Sequence, residues 1–164
     1  MVNIADDVEA GGQLGIVNVA KDNHGFAYGL ANWSRQVRIQ PQYYFETPRF
    51  QNIGVRFLTG YSTASIAVGY DEPKDRFRTH YSFGGHLPWW RFALDAAVGY
   101  GWVLERFRHG PRDRAHELDA RGTASFDIVP KMISVFGGGV MALPVAGLVE
   151  NNVDYRMVAG VTLL

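Results

Sequence analysis

The stretch Arg91-Phe92-Ala93-Leu94-Asp95-Ala96-Ala97-Val98-Gly99-Tyr100-Gly101-Trp102 sorts its residues by parity. Phe92, Leu94, Ala96, Val98, Tyr100 and Trp102 fall on one side, and Arg91, Ala93, Asp95, Ala97, Gly99 and Gly101 on the other. Period-2 segregation is the pattern of a strand with one dry and one wet face. The same pattern recurs outward from it. Phe77, Thr79, Tyr81 and Phe83 oppose Arg78, His80, Ser82, Gly84 and His86; Leu118, Ala120, Gly122, Ala124, Phe126 and Ile128 oppose Glu117, Asp119, Arg121, Thr123, Ser125 and Asp127. Tyr155, Met157, Ala159, Val161 and Leu163 oppose Asp154, Arg156, Val158, Gly160 and Thr162. Weaker alternation runs over 63–70 and 38–45.

Length chooses between architectures. Strands of soluble sandwiches average about 5–6 residues, whereas a membrane-crossing strand needs about 9–11. Several of these windows are that long. Their wet faces mix Arg, Asp and Glu with Ser and Gly, as a narrow barrel lumen requires. Tyr100 and Trp102 at one end, and Trp89 and Trp90 in the turn at the other, suit interfacial girdles. The expectation is an all-β, antiparallel, up-and-down transmembrane β-barrel of the outer-membrane type. Its rival is a soluble lipocalin-like barrel with the apolar face turned inward.

Connection lengths support the first reading, because outer-membrane barrels alternate short turns with longer loops. The connections 144–152, 104–116, 72–76, 46–52 and 21–24 are long, and 129–130, 87–90, 59–61 and 34–37 are short. Counted this way the chain holds about ten strands (8–12), with both termini on the periplasmic side. One domain spans 1–164, with short-repeat strands over 2–33 and barrel hairpins over 38–164. The apolar segment 132–149 is long enough for a helical span. However, Gly137, Gly138, Gly139, Gly147 and Pro144 and its β-branched residues make it a strand and a loop.

Composition excludes other classes. The 164 residues carry sixteen Lys plus Arg against sixteen Asp plus Glu, and the zero net charge argues against a nucleic-acid partner. With no Cys there is no thiolate nucleophile and no Cys-based metal site. No basic, apolar secretory signal opens the chain. No cofactor is indicated.

The N-terminal third repeats itself: Val2-Asn3-Ile4-Ala5, then Val17-Asn18-Val19-Ala20, then Leu30-Ala31-Asn32-Trp33. Such a period fits either a solenoid rung or successive strands; the count of ten takes the latter. The motif resembles the bacterial surface repeat-containing proteins, whose repeats read approximately Gly-Leu-Val-Asn-Val-Ala. A looser similarity to their barrel-like C-terminal part continues through Gly84-Gly85-His86-Leu87-Pro88 and Phe92-Ala93-Leu94-Asp95. The resemblance implies a Gram-negative outer-membrane or cell-surface protein, and a chain starting mid-repeat implies a portion of a longer one. Arg156, Gly160, Leu163 and Leu164 are similar to the C-terminal assembly signal of outer-membrane proteins, with Leu164 in place of the usual Phe.

Chemistry is sparse. His80, Ser82 and Asp95 are the candidate catalytic set, and His80-Tyr81-Ser82 resembles the His-x-Ser motif of outer-membrane lipid A deacylases. Parity places His80 and Ser82 on the lumen side, away from lipid, so a lipid hydrolase is the minor alternative and a non-enzymatic barrel the expectation. His80 and His86 lie about 20 Å apart along a strand, too far for one metal ion. Arg56, Arg78, Arg91, Asp95, Arg121, Asp127, Asp154 and Arg156 are expected to pair inside the lumen, and thirteen of the sixteen cations are Arg, which suits bidentate pairing. A porin-like small-solute or ion pore is the alternative use of that lining. The loop residues Arg106, Arg108, Arg112 and Arg114 form a candidate surface site for anions. Expected partners are membrane lipid, lipopolysaccharide phosphates and other envelope proteins, the function being structural or surface interaction.

Overall fold

The computed structural model describes residues 1–8, 12–15, 17–23, 26–28, 31–34, 37–47, 50–72, 75–105, 113–146 and 153–164. Its strands are β1 (Val2–Val8), β2 (Gly12–Leu14), β3 (Val17–Asn23), β4 (Phe26–Tyr28), β5 (Ala31–Trp33), β6 (Arg38–Glu46), β7 (Phe50–Thr59), β8 (Ser62–Asp71), β9 (Arg76–Trp89), β10 (Phe92–Glu105), β11 (Asp113–Val129), β12 (Ile133–Ala146) and β13 (Asp154–Leu163). β6 to β13 close into one antiparallel barrel in which sequence neighbours pair and β13 returns to β6.

The barrel therefore has eight strands, not ten. Residues 2–33 form two small parallel sheets instead, β1-β3-β5 and β2-β4. The repeat lies on itself: Val2, Asn3 and Ile4 pair with Val17, Asn18 and Val19, and Val17, Asn18 and Val19 pair with Ala31, Asn32 and Trp33. Asn3 Nδ2 donates to Asn18 Oδ1 at 2.8 Å and to the Leu14 carbonyl at 2.6 Å. The strands run parallel, so each copy of the repeat lies in register on the one before it. Parallel pairing of successive repeats is the geometry of solenoid rungs, and these strands belong to sheets separate from the barrel.

Alternation sets the orientation of the barrel wall. Leu94, Val98, Tyr100 and Trp102 of β10, Ile66, Val68 and Tyr70 of β8, and Tyr155, Met157 and Leu163 of β13 are exposed on the outside. Arg56, Arg78, His80, Glu117, Asp119 and Ser134 are buried within. A soluble barrel with an apolar interior would show the reverse. The segment 132–149 enters as strand β12 followed by residues outside the described set.

The two ends of the barrel differ. At one, the turn end, Gly60, Trp90 and Lys131 reverse the chain at positive φ of 55°, 56° and 62°. β6 starts and β13 stops at this same end. At the other, the loop end, Glu46 pairs with Phe50, Asp71 with Arg76, Glu105 with Asp113 and Ala142 with Asp154. The wall is sealed unevenly. β9 and β10 pair along all 14 residues of each, whereas β13 meets β6 in ladder register only over Val158–Thr162 against Gln42–Glu46. Two further contacts extend that seam, Thr47 N–H to the Met157 carbonyl at 2.9 Å and Met157 N–H to Thr47 Oγ1 at 2.7 Å.

Candidate functional site

In an eight-stranded barrel the interior is just wide enough for side chains to fill it. Here the loop-end half is filled by an ionic knot. Arg78, on β9, grips Glu46 of β6 through both carboxylate oxygens at 2.6 and 2.7 Å. It also donates to Glu117 Oε1 and Asn52 Oδ1, each at 3.1 Å. Arg156 from β13 bridges Glu46 at 3.1 Å and Glu117 at 2.8 Å, and its Nε holds Asp154 at 2.7 Å. Arg121 donates to Asp119 at 3.2 Å and lies 3.8 Å from Glu46. His80 Nε2 is 2.6 Å from Asp119 Oδ2 and 3.0 Å from Arg121 Nη2. Phe50 lies over the Arg78 guanidinium at 4.6 Å from the ring centre and, with Val103 and Ala115, forms an apolar cluster beside it.

Glycine makes this knot possible. A Cβ on Gly99 would stand 2.5 Å from His80 Nε2 and 2.8 Å from Asp119 Oδ1, and one on Gly101 would stand 2.7 Å from Glu117 Cγ. Three Arg (78, 121, 156) thus meet Glu46, Glu117 and Asp119 in one desolvated group, and the mixed signs offset a burial that would be prohibitive for any member alone.

A second cluster sits closer to the turn end. Arg56 binds Asp95, donates from Nε to Thr63 Oγ1 at 2.9 Å, and has Nη2 3.0 Å from His86 Nδ1. His86 Nδ1 is in turn 2.8 Å from Asp95 Oδ1.

These contacts distribute the sequence candidates as follows. Arg56, Arg78, Asp95, Arg121 and Arg156 enter the two lumen clusters. Asp154 joins from the edge, half-exposed beside Arg156. Arg91 pairs with no carboxylate among the described residues: its Nη2 donates to the backbone carbonyls of Asp127 and Ile128 at 2.7 and 2.8 Å. Those carbonyls lie where β11 slips register against β12, between Asp127 and Val129, and a bulge leaves carbonyls for a side chain to satisfy. Asp127 meets Arg91 through its main chain for the same reason. The catalytic trio is dispersed, because His80 bonds Asp119, Ser82 Oγ lies 2.7 Å from Ser65 Oγ, and Asp95 belongs to Arg56 and His86. Arg106, Arg108 and Arg112 lie outside the described residues, as does the side chain of Arg114.

The acceptors Glu46, Glu117 and Asp119 were not among the sequence candidates. Parity carried the signal for two of them, since Glu117 and Asp119 share the face of Arg121. Glu46 extends the even face of β6 into a stretch read as loop.

Fold and lumen together define a closed eight-stranded antiparallel β-barrel with paired charges buried inside and an apolar exterior. A solved de novo designed transmembrane β-barrel is similar to this chain, with a TM-score of 0.48 and 9% identity, over 76% of this chain and 91% of that one. No family model matches the chain, and no curated protein matches it. The likeness to surface repeat-containing proteins accordingly rests on the sequence motifs quoted above.

Proposed function

We propose that this chain spans an outer-membrane-type bilayer as a closed, non-conducting barrel, a structural anchor that carries the parallel stack of residues 2–33 on its turn end. One observation carries the reading: the charges point in and saturate one another while the apolar side chains point out. The exposed apolar residues are not scattered singly, as on soluble proteins, but occur on strand after strand around the wall. Strands of 9 and 10 residues in β6, β7 and β8 have the length a tilted crossing needs. The aromatics Trp89 and Trp90 at the turn end, and Tyr100 and Trp102 towards the loop end, suit the two interfaces.

The knot of Arg78, Glu46, Glu117 and Arg156 favours an inert lumen over a pore, since each charge already has a partner at hydrogen-bond distance. No triad is assembled among the described residues to support an enzymatic role. Lipid is the partner of the wall, and the segment carrying Arg106, Arg108, Arg112 and Arg114 is the proposed contact for lipopolysaccharide phosphates. Replacing those four Arg by Ser should release lipopolysaccharide that co-purifies with the native chain, and undiminished retention would refute the contact.

The deciding experiment compares folding with and without micelles. Strand circular dichroism and heat-modifiable gel mobility should require detergent or lipid, and planar bilayers holding the folded chain should show no conductance steps. A monodisperse, folded chain in plain buffer would overturn the membrane reading, and discrete conductance steps would overturn the closed lumen.

A further inference from the structure

The halves of the lumen are built from different side chains. Long ions and Tyr44 pack the loop-end half, while the turn-end half opens into a cavity of about 240 Å³ whose lining mixes Gln40, Ser125, Ser134 and Thr162 with the ions Arg38, Arg56 and Asp127 and with apolar groups. Arg56 lines both this cavity and a smaller one of about 50 Å³ deeper in, so its cluster with Asp95 and His86 forms the floor. Beyond that floor the ionic knot closes the barrel, and the cavity is blind.

We infer that this turn-end vestibule is a binding pocket for a small, neutral, polyhydroxylated solute. Gln40 supplies the first argument. Its side chain lines the cavity with only 2% of the residue exposed, and Oε1 has no hydrogen-bond partner among the described residues. A buried acceptor left unmade is costly, and a solute O–H is the donor it lacks. The second argument is the chemistry of the wall. Ser125, Ser134 and Thr162 line the same space, and Gln42 Nε2 donates to Thr162 Oγ1 at 3.0 Å, which leaves that hydroxyl's proton to be donated inward. Ser125 and Ser134 donate to the Ala93 and Val135 carbonyls at 3.5 and 3.4 Å and so face the space as acceptors, and a wall of one donor and several acceptors matches a ligand whose hydroxyls do both.

Charge sets the class. Arg56 is committed to Asp95, and the further ions lining the cavity, Arg38 and Asp127, have opposite signs. Neither an anion nor a cation is favoured. The indole of Trp90 lines the mouth and offers an apolar face to the C–H side of a sugar-like ring. The volume falls below the roughly 300–1,000 Å³ of drug-sized pockets, which limits the occupant to a monosaccharide or a short polyol.

The test uses the full chain, ¹⁵N-labelled and folded in micelles, titrated with D-glucose and with glycerol to high millimolar concentration. Spectral dispersion reports folding of each sample, so loss of the barrel is seen separately from loss of binding. Saturable shifts of the Gln40 side-chain amide and the Trp90 indole N–H are expected. Gln40→Leu should weaken the binding read at the Trp90 indole N–H about tenfold, the value of one buried hydrogen bond, and Ser134→Val serves as a second variant should the first not fold. Shifts that rise linearly without saturating, or saturable binding unaltered in the folded variants, would overturn the site. A response to sodium acetate or to methylammonium chloride with none to glucose or glycerol would overturn the neutral class.

Discussion

Replacing Arg78 by Met tests whether the lumen knot is held by mutual neutralisation. Arg78 is 1% exposed and makes four hydrogen bonds, two to Glu46 and one each to Glu117 and Asn52. Met keeps much of the volume and the contact with Phe50 but removes the charge. Breaking a buried ion pair from one side costs about 3–5 kcal/mol, because the remaining charge is stranded. Glu46 would retain Arg156 at 3.1 Å and Arg121 at 3.8 Å, and Glu117 would retain Arg156 at 2.8 Å. The loss should therefore fall at the lower bound, about 3 kcal/mol. Adding Glu46→Met removes the stranded carboxylate and leaves Arg121 and Arg156 facing Glu117 and Asp119, again balanced. The double variant should recover most of that loss, by roughly 2 kcal/mol. Reversible urea unfolding in lipid vesicles, followed by tryptophan emission, reads all three free energies. A single variant within about 0.5 kcal/mol of the native chain, or a double variant no better than the single, would refute charge balance as the organising force.

Three further outcomes are expected. Gly99→Val drives a side chain into the space held by His80 and Asp119 and should cost about 1–3 kcal/mol; an unchanged thermal midpoint in micelles would contradict that packing. Val98→Arg puts a charge on the outer wall of β10, where Val98 is half-exposed, and should cost about 2–4 kcal/mol for folding into vesicles if mid-wall means mid-bilayer; equal folding yields would place that face in water. Asn18→Ala removes the acceptor for Asn3 and should loosen residues 2–33 by about 1 kcal/mol, seen as faster amide exchange there. The heat-modifiable mobility of the barrel should not change, and a change would mean that the stack and the barrel fold as one unit.

Parity made the barrel legible. Alternation assigns to the lumen every residue on the wet face of 91–102 that is not Gly or Ala, namely Arg91 and Asp95, and Asp95 pairs with Arg56 there. Arg91 meets backbone carbonyls instead of a carboxylate, because a bulge is a register event between two strands and leaves no trace in the alternation of one. The strand count failed over 2–33 for a related reason. Period-2 alternation describes a strand's faces but not the direction of its neighbour, and the Asn spacing that could have decided for parallel rungs was equally compatible with successive strands. For the site, sequence supplied the charged set but not the partners. Which carboxylate Arg78 meets depends on how far β6 is staggered against β9 across the lumen, a property of barrel closure rather than of either strand.

The short seam between β13 and β6 has a kinetic consequence. Every other pairing in the barrel joins consecutive strands, so each can zip from its own turn at small entropic cost. Closure brings Gln42 to Thr162 across 120 residues of chain, and it is rewarded by one short ladder, Val158–Thr162. The barrel should thus assemble as an open, curling meander and shut last. The same arithmetic run backwards makes the seam the first line to part, so the amides of Tyr43 and Val161 should exchange ahead of those in the middle of β10.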